Sequence, residues 1–88
     1  MTLDPTKTLS FSPFLRLQWE ETQQRHVILY PEGIVELNVP STEILKLCDG
    51  AHTAEDILVE LEDKFKQTGL KKDIFVFLEV AIENGWVS

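Results

Sequence analysis

The first half of the chain spaces its apolar residues as β-strands do. From Pro13 onward, three apolar residues fall on one side of an extended chain, namely Leu15, Leu17 and Trp19. This period of two is typical of a half-buried strand. After the polar stretch 20–24, two apolar runs, Val27 to Tyr30 and Ile34 to Leu37, predict strands near 25–30 and 34–38. Pro31-Glu32-Gly33 joins them as a turn sequence. We therefore predict a three-stranded antiparallel meander.

The second half of the chain changes to a helical period. A short first helix is indicated by an apolar group that contains Ile44, Leu45, Leu47 and Cys48. Asn38 or Ser41 is a candidate N-cap for it, and Gly50 is placed as its left-handed C-terminal stop. A second helix is predicted from Thr53, because Asp56 three residues later completes a variant of the capping box.

A third helix is predicted from about 72 to 84, with Gly85 as its stop and 86–87 folding back onto the core. Its apolar arc is unusually wide, with a central stripe of Ile74, Phe77, Leu78 and Ala81 and further apolar residues on both flanks. Either the helix is central and this arc is all core, or one flank faces a groove. Strands followed by helices predict an α+β fold that is winged-helix-like.

Length and composition indicate a small folded domain without a membrane segment. With 88 residues and 43% apolar content, the chain can build one core. Residues 1–12 carry few apolar side chains and are expected to form a flexible N-terminal segment, and 13–88 the folded domain. No apolar stretch reaches the length of a membrane span, no signal peptide is recognisable, and a single cysteine excludes an internal disulfide. We expect a cytoplasmic protein with no membrane partner.

Net charge and the third helix argue against a nucleic-acid partner. The formal net charge is −7, so the average surface repels a phosphate backbone. In the third helix Lys72 is opposed by Asp73, Glu79 and Glu83, whereas base reading needs basic or amide side chains. A winged-helix regulator that binds DNA stays as an alternative interpretation.

Residues that could perform catalysis are few. Cys48 and His52 lie four positions apart, and such a pair can activate a thiolate. However, Cys48 falls on the apolar side of the first helix, where a buried and inert thiol is usual. The two histidines and one cysteine do not form a metal motif, and the chain has no glycine-rich phosphate loop. We expect no catalytic residue, no metal and no cofactor.

The remaining interpretation is a protein that binds another polypeptide. The last strand of the meander, 34–38, should be an open edge, and Glu36 is its only charged residue. An open edge without proline or lysine can pair with a peptide strand. Alternatively, the chain is a structural subunit whose edge is covered by a protein partner or a second copy. A monomer or a weak homodimer fits the sequence.

Four segments, in this order, resemble the PqqD family of pyrroloquinoline quinone biosynthesis: Arg16-Leu17-Gln18-Trp19-Glu20, Tyr30-Pro31-Glu32-Gly33, Leu47-Cys48-Asp49-Gly50 and Gly85-Trp86. The resemblance implies a non-catalytic chaperone that binds the precursor peptide PqqA and presents it to the radical S-adenosylmethionine enzyme PqqE. It implies that the peptide adds as a strand beside the third strand and packs against the third helix. On the strand, the expected peptide-binding residues are Ile34, Val35, Glu36, Leu37 and Asn38. On the helix, a flank chosen from the helical wheel adds Lys71, Lys72, Phe75, Leu78, Glu79 and Ile82.

Overall fold

The structure is a computed structural model that describes residues 3–88. Within that range the chain forms five strands and three helices. In chain order they are β1 (Thr8–Ser10), β2 (Arg16–Glu20), β3 (Arg25–Tyr30), β4 (Gly33–Glu36), α1 (Val39–Lys46), β5 (Asp49–Thr53), α2 (Ala54–Phe65) and α3 (Lys71–Glu83). The predicted α+β class, with an antiparallel meander and three helices, is confirmed.

The meander is a three-stranded antiparallel sheet in the order β2-β3-β4. Its first loop reverses through Gln24, which has a φ of 56° and whose side chain donates a hydrogen bond to the Glu21 carbonyl. Its second loop is the two-residue turn Pro31-Glu32, closed by the pairing of Tyr30 with Gly33. β4 is therefore an outer strand of this sheet, as the sequence predicted.

A second sheet, formed by β1 and β5, was not predicted. Its register shifts between Leu9 and Ser10, which pair with His52 and Asp49, so β5 bulges at the two intervening residues, Gly50 and Ala51. Gly50 has a φ of +86°, and a Cβ there would lie 3.1 Å from the Ser10 hydroxyl oxygen. Because α1 ends at the cap residue Leu47, the prediction that Gly50 stops this helix is wrong. Gly50 serves the bulge instead.

The C-terminal residue Ser88 pairs with the end of β1 in this second sheet. The Ser10 amide donates to the Ser88 carbonyl at 2.9 Å and the Ser88 amide donates back at 3.0 Å, while the Phe11 amide donates to the Cys48 carbonyl at 2.8 Å. Residues 8–11 therefore belong to the folded body, which corrects the prediction of a flexible segment 1–12 in this part. Flexibility of the preceding residues stays a prediction, and residues 1–2 lie outside the described range.

Local capping explains where α1 and α2 begin. The Asn38 side chain accepts a hydrogen bond from the Ser41 amide at 2.9 Å, so Asn38 is the N-cap of α1. Thr53 and Asp56 form a reciprocal capping box at the start of α2, with both hydrogen bonds at 3.1 Å. In each of these bonds, a side-chain oxygen accepts from a backbone N–H at the start of the helix, which has no partner within the helix. The capping box of α2 was predicted correctly.

One hydrophobic core connects the meander, the second sheet and the helices. Its buried members are Leu9, Ile28, Leu37, Ile44, Leu45, Cys48, Ala54, Ile57, Leu61, Ile74, Leu78, Ala81 and Val87. Ile28, Ile57 and Leu78 are wholly inaccessible to solvent. The same core therefore contains Ile28 and Leu37 from the meander side and Ile74 and Leu78 from α3, so it links the strand edge to that helix.

Candidate functional site

The hydrogen-bond pattern of the meander determines which backbone groups of β4 face outward. The Leu37 amide donates to the His26 carbonyl at 3.0 Å. Bonded and non-bonded pairs alternate along an antiparallel ladder, so Val35 also bonds to β3 through its opposite residue Ile28. The N–H and C=O groups of Ile34 and Glu36 consequently point away from β3. These four groups form the free edge of the sheet.

The side chains of this segment divide between the two faces of the sheet. Val35 is half-buried and Leu37 is buried, and both pack with the core. Ile34 and Glu36 lie on the outer face, where Ile34 is 49% exposed and Glu36 contacts Arg25 at 3.5 Å. Asn38 is occupied in capping α1. Of the expected strand residues, Leu37 therefore serves the core, and the others reach the surface.

The helix residues expected from the wheel are distributed over three environments. Leu78 lies in the core with no exposed surface. Phe75 and Ile82 are half-buried against the core, with the Lys71 ammonium 5.5 Å from the Phe75 ring centroid. Lys72 and Glu79 are exposed.

A cavity of about 570 Å³, here called the helix cavity, lies between the three helices. Its lining is largely apolar and includes Ile44 of α1, Phe65 of α2 and Phe77 of α3. Asn38, at the end of the β4 segment, forms part of the same wall. Phe77 lines this cavity together with Asn38 and lies on the flank of α3 opposite Phe75 and Ile82.

A second cavity of about 510 Å³, here called the aromatic cavity, lies beside the hairpin turn. Its lining includes Phe14, Tyr30, Val35 and Trp86. Phe14 is 87% exposed, so a large apolar side chain borders the opening. The rings of Trp86 and Phe77 lie 6.3 Å apart between centroids, which connects the two cavities along one flank of α3.

The sequence pattern indicated only part of the aromatic cavity. Phe14 falls on the outward side of the alternating pattern that predicted β2, which is a signal for an exposed aromatic residue. From the sequence, Trp86 was expected to fold back onto the core, and Tyr30 was placed at the end of the second predicted strand. Only packing shows that these residues border the same cavity as Val35.

The Cys48 thiol is buried, and the His52 imidazole is hydrogen bonded to two carboxylates. Burial, and next the nearby Asp49 carboxylate, raise the pKa of Cys48 to about 12, so the thiolate nucleophile is not available near neutral pH. The His52 ring nitrogens lie 2.9 Å from the Asp49 carboxylate and 3.2 Å from the Glu60 carboxylate. These hydrogen bonds raise the pKa of His52, with Asp49 as the larger cause.

No metal-binding cluster of histidine, cysteine, aspartate or glutamate occurs among residues 3–88. In the same range, none of the helices has both the length and the apolar character needed to cross a bilayer.

The chain is similar to known proteins over nearly its whole length. The family model described as Coenzyme PQQ synthesis protein D (PqqD) matches residues 25–87. The PqqA binding protein of Methylococcus capsulatus is 51% identical over 87 residues, which cover 99% of this chain and 94% of that protein. The PqqA binding protein of Stutzerimonas stutzeri is 40% identical over 83 residues, covering 93% and 90%.

A solved structure has the same fold. The PqqD truncation of Methylobacterium extorquens PqqCD, described as a stand-alone recognition element for ribosomally synthesised and modified peptides, superposes with a TM-score of 0.81 at 22% identity. The superposition covers 99% of this chain and 95% of that one. The relatives are named as binding proteins, and binding a peptide is a non-catalytic role. The chain belongs to the PqqD family.

Proposed function

We propose that this chain binds a PqqA-type precursor peptide by strand addition at β4 and presents it to the radical S-adenosylmethionine enzyme PqqE. The observation that carries the proposal is the free backbone edge at Ile34 and Glu36, with an apolar cavity near each end of the β4 segment. The names of the relatives, which are PqqA binding proteins, support the choice of peptide.

An added strand fits the two kinds of contact that this surface offers. Its backbone would pair with the outward N–H and C=O groups of Ile34 and Glu36, which provides affinity independent of sequence. Its alternate side chains would turn toward the core face of the sheet, where Val35 borders the aromatic cavity and Asn38 the helix cavity. Specificity then comes from the two cavities.

The proposed helix contact uses the flank of α3 that carries Phe77 and continues to Trp86. Leu37 and Leu78 support this surface from the core. Phe75 and Ile82, on the other flank, take part only if the peptide crosses the helix.

Lys71 and Lys72 stand in the first turn of α3, where positive charge is unfavourable for the helix. An acidic stretch of the peptide near this end would offset that cost.

A proline substitution at the edge tests strand addition. Glu36→Pro removes an N–H that points away from β3, so the ladder keeps its bonds and the variant should fold. Glu36→Thr is the matched control, because it removes the same carboxylate but keeps the N–H. We expect Glu36→Pro to weaken binding of a synthetic PqqA-type peptide at least about fivefold in calorimetry, since one hydrogen bond is worth about 1 kcal/mol. The control should bind nearly as the original chain does. Equal affinities of the two variants would refute pairing at this edge.

Presentation to the enzyme requires a separate measurement. Sedimentation of the chain, the peptide and PqqE together should show a complex of all three. With Glu36→Pro the peptide should leave that complex while the chain and PqqE remain together. Peptide cross-linking by PqqE at the same rate with and without the chain would contradict presentation. A cytoplasmic location accompanies this proposal as a prediction.

DNA binding, the alternative regulator role, is opposed by charge and predicts a different salt response. The exposed residues of α3 include Glu79 and Glu83 beside Lys72, and the net charge of the chain is −7. Binding to DNA would weaken steeply as salt rises, whereas apolar capture of a peptide should change little.

A further inference from the structure

The meander has a second open edge, on β2. Within residues 3–88, β2 is hydrogen bonded as a strand to β3 alone. Because His26 bonds to Leu37 in β4, every second residue of β3 from His26 faces β4, and the residues between them face β2. In the register of β2 with β3, the bonded residues of β2 are therefore Arg16, Gln18 and Glu20. The N–H and C=O groups of Leu17 and Trp19 therefore point outward. β2 contains no proline, lysine or bulge, which are the features that usually protect an edge.

The sequence of β2 is complementary to itself in one antiparallel register. When two copies of Arg16–Glu20 pair about Gln18, each Leu17 lies opposite Trp19 of the second copy. Leu17 and Trp19 are the residues whose backbone N–H and C=O groups point outward, so in this register they can hydrogen bond to each other across the two copies. The same register sets each Arg16 opposite Glu20 of the second copy, on one face of the sheet. Opposite charges in directly facing positions stabilise a strand pair.

The side chains of β2 are available for such a contact. Among residues 3–88, Arg16 and Glu20 make none of the ion pairs, although Glu20 lies across the ladder from Arg25. Trp19 is 45% exposed, and its ring lies in a T-shaped arrangement with the His26 ring, at 5.2 Å between centroids. Covering Trp19 and Leu17 removes apolar surface from water. A contact of one five-residue strand per copy is short, so the association should be weak.

We propose that two copies of this chain associate through their β2 edges, with Arg16 of each paired to Glu20 of the other. The two meanders then form one continuous six-stranded sheet. β4 lies at each far end of this sheet, so both proposed peptide edges stay open. The dimer rests on β2 alone and does not depend on the proposed peptide binding.

Charge exchange tests the register. Sedimentation velocity at low salt, over a protein concentration series into the near-millimolar range, should show a monomer–dimer equilibrium for the original chain. Arg16→Glu and Glu20→Arg should each raise the dimer dissociation constant at least about fivefold, because two attractive pairs become two repulsive pairs. The double variant Arg16→Glu/Glu20→Arg should recover the dimer. An equimolar mixture of the two single variants should form a heterodimer for the same reason.

Three results of the charge-exchange series would overturn this proposal, and the Glu36→Pro control supplies a fourth. The original chain could stay monomeric throughout the concentration series, the single variants could dimerise unchanged, or neither the double variant nor the mixture could restore association. Circular dichroism of each variant checks that loss of association is not loss of folding. Glu36→Pro serves as the control for the other edge: if it abolishes the dimer, the copies meet through β4, and the β2 assignment is refuted.

Discussion

Leu78 is the position where core and peptide contact can be separated most clearly. The wheel placed it in the peptide groove, but it is wholly inaccessible in the core. Replacing a buried leucine by alanine removes its transfer free energy and leaves a cavity, at a cost of about 2–5 kcal/mol. A domain of 88 residues has a free energy of unfolding of only about 4–13 kcal/mol. Leu78→Ala should therefore remove a large fraction of the stability.

Thermal and urea unfolding followed by circular dichroism measure this loss. A cost of 2 kcal/mol or more should lower Tm by at least about 8 °C in a domain of this size. The matched control is Val76→Ala in the same helix, where the valine is 51% exposed and the expected cost is within about 0.5 kcal/mol. At low temperature, where the variant is folded, its affinity for the peptide should change little. Equal Tm values for the two variants, with a selective loss of peptide affinity in Leu78→Ala, would refute the core assignment.

Three further predictions address the second sheet, the helix flank and the imidazole. Gly50→Ala should destabilise the fold by about 1–2 kcal/mol in urea unfolding, because a φ of +86° and the 3.1 Å approach to Ser10 both oppose a Cβ; an unchanged midpoint would contradict the bulge. Phe77→Ala should weaken peptide binding in calorimetry more than Ile82→Ala. The reverse order would show that the peptide contacts the flank with Phe75 and Ile82, which the helical wheel predicted. Because the pKa of His52 is raised above 6.5 in the folded chain, its protonated form stabilises the fold below about that pH, and this stabilisation is lost as pH rises through the folded pKa. The stability advantage over His52→Gln should thus be larger at pH 5.5 than at pH 9, and an advantage independent of pH would show that charge is not its source.

Elements specified by nearby residues could be predicted from the sequence. The alternation around Leu17 and the turn at 31–32 predicted the meander, and the Thr53 and Asp56 pair predicted the start of α2. α3 was predicted within one residue of Lys71–Glu83. In each case the period or the cap is complete within one element, so no distant partner is needed to recognise it.

Elements that depend on distant partners could not be predicted in this way. β1 is a strand of three residues, Thr8–Ser10, too short to show a period. Its pairing with β5 and the contact between Ser10 and Ser88 join residues far apart in the chain. The sequence reading of Gly50 as a helix stop correctly recognised a left-handed residue but assigned it to the wrong element, because only the pairing with β1 reveals the bulge.

The sequence by itself therefore determined the α+β class, the start of α2, the extent of α3 to within one residue, the family resemblance and the open edge at β4, because each follows from a local pattern or a short motif. Only the tertiary structure decided which flank of α3 borders the cavities. The apolar arc of α3 is wide enough that its period leaves both flanks possible. Packing resolves the choice: Leu78 enters the core, and Phe77 lies beside Trp86.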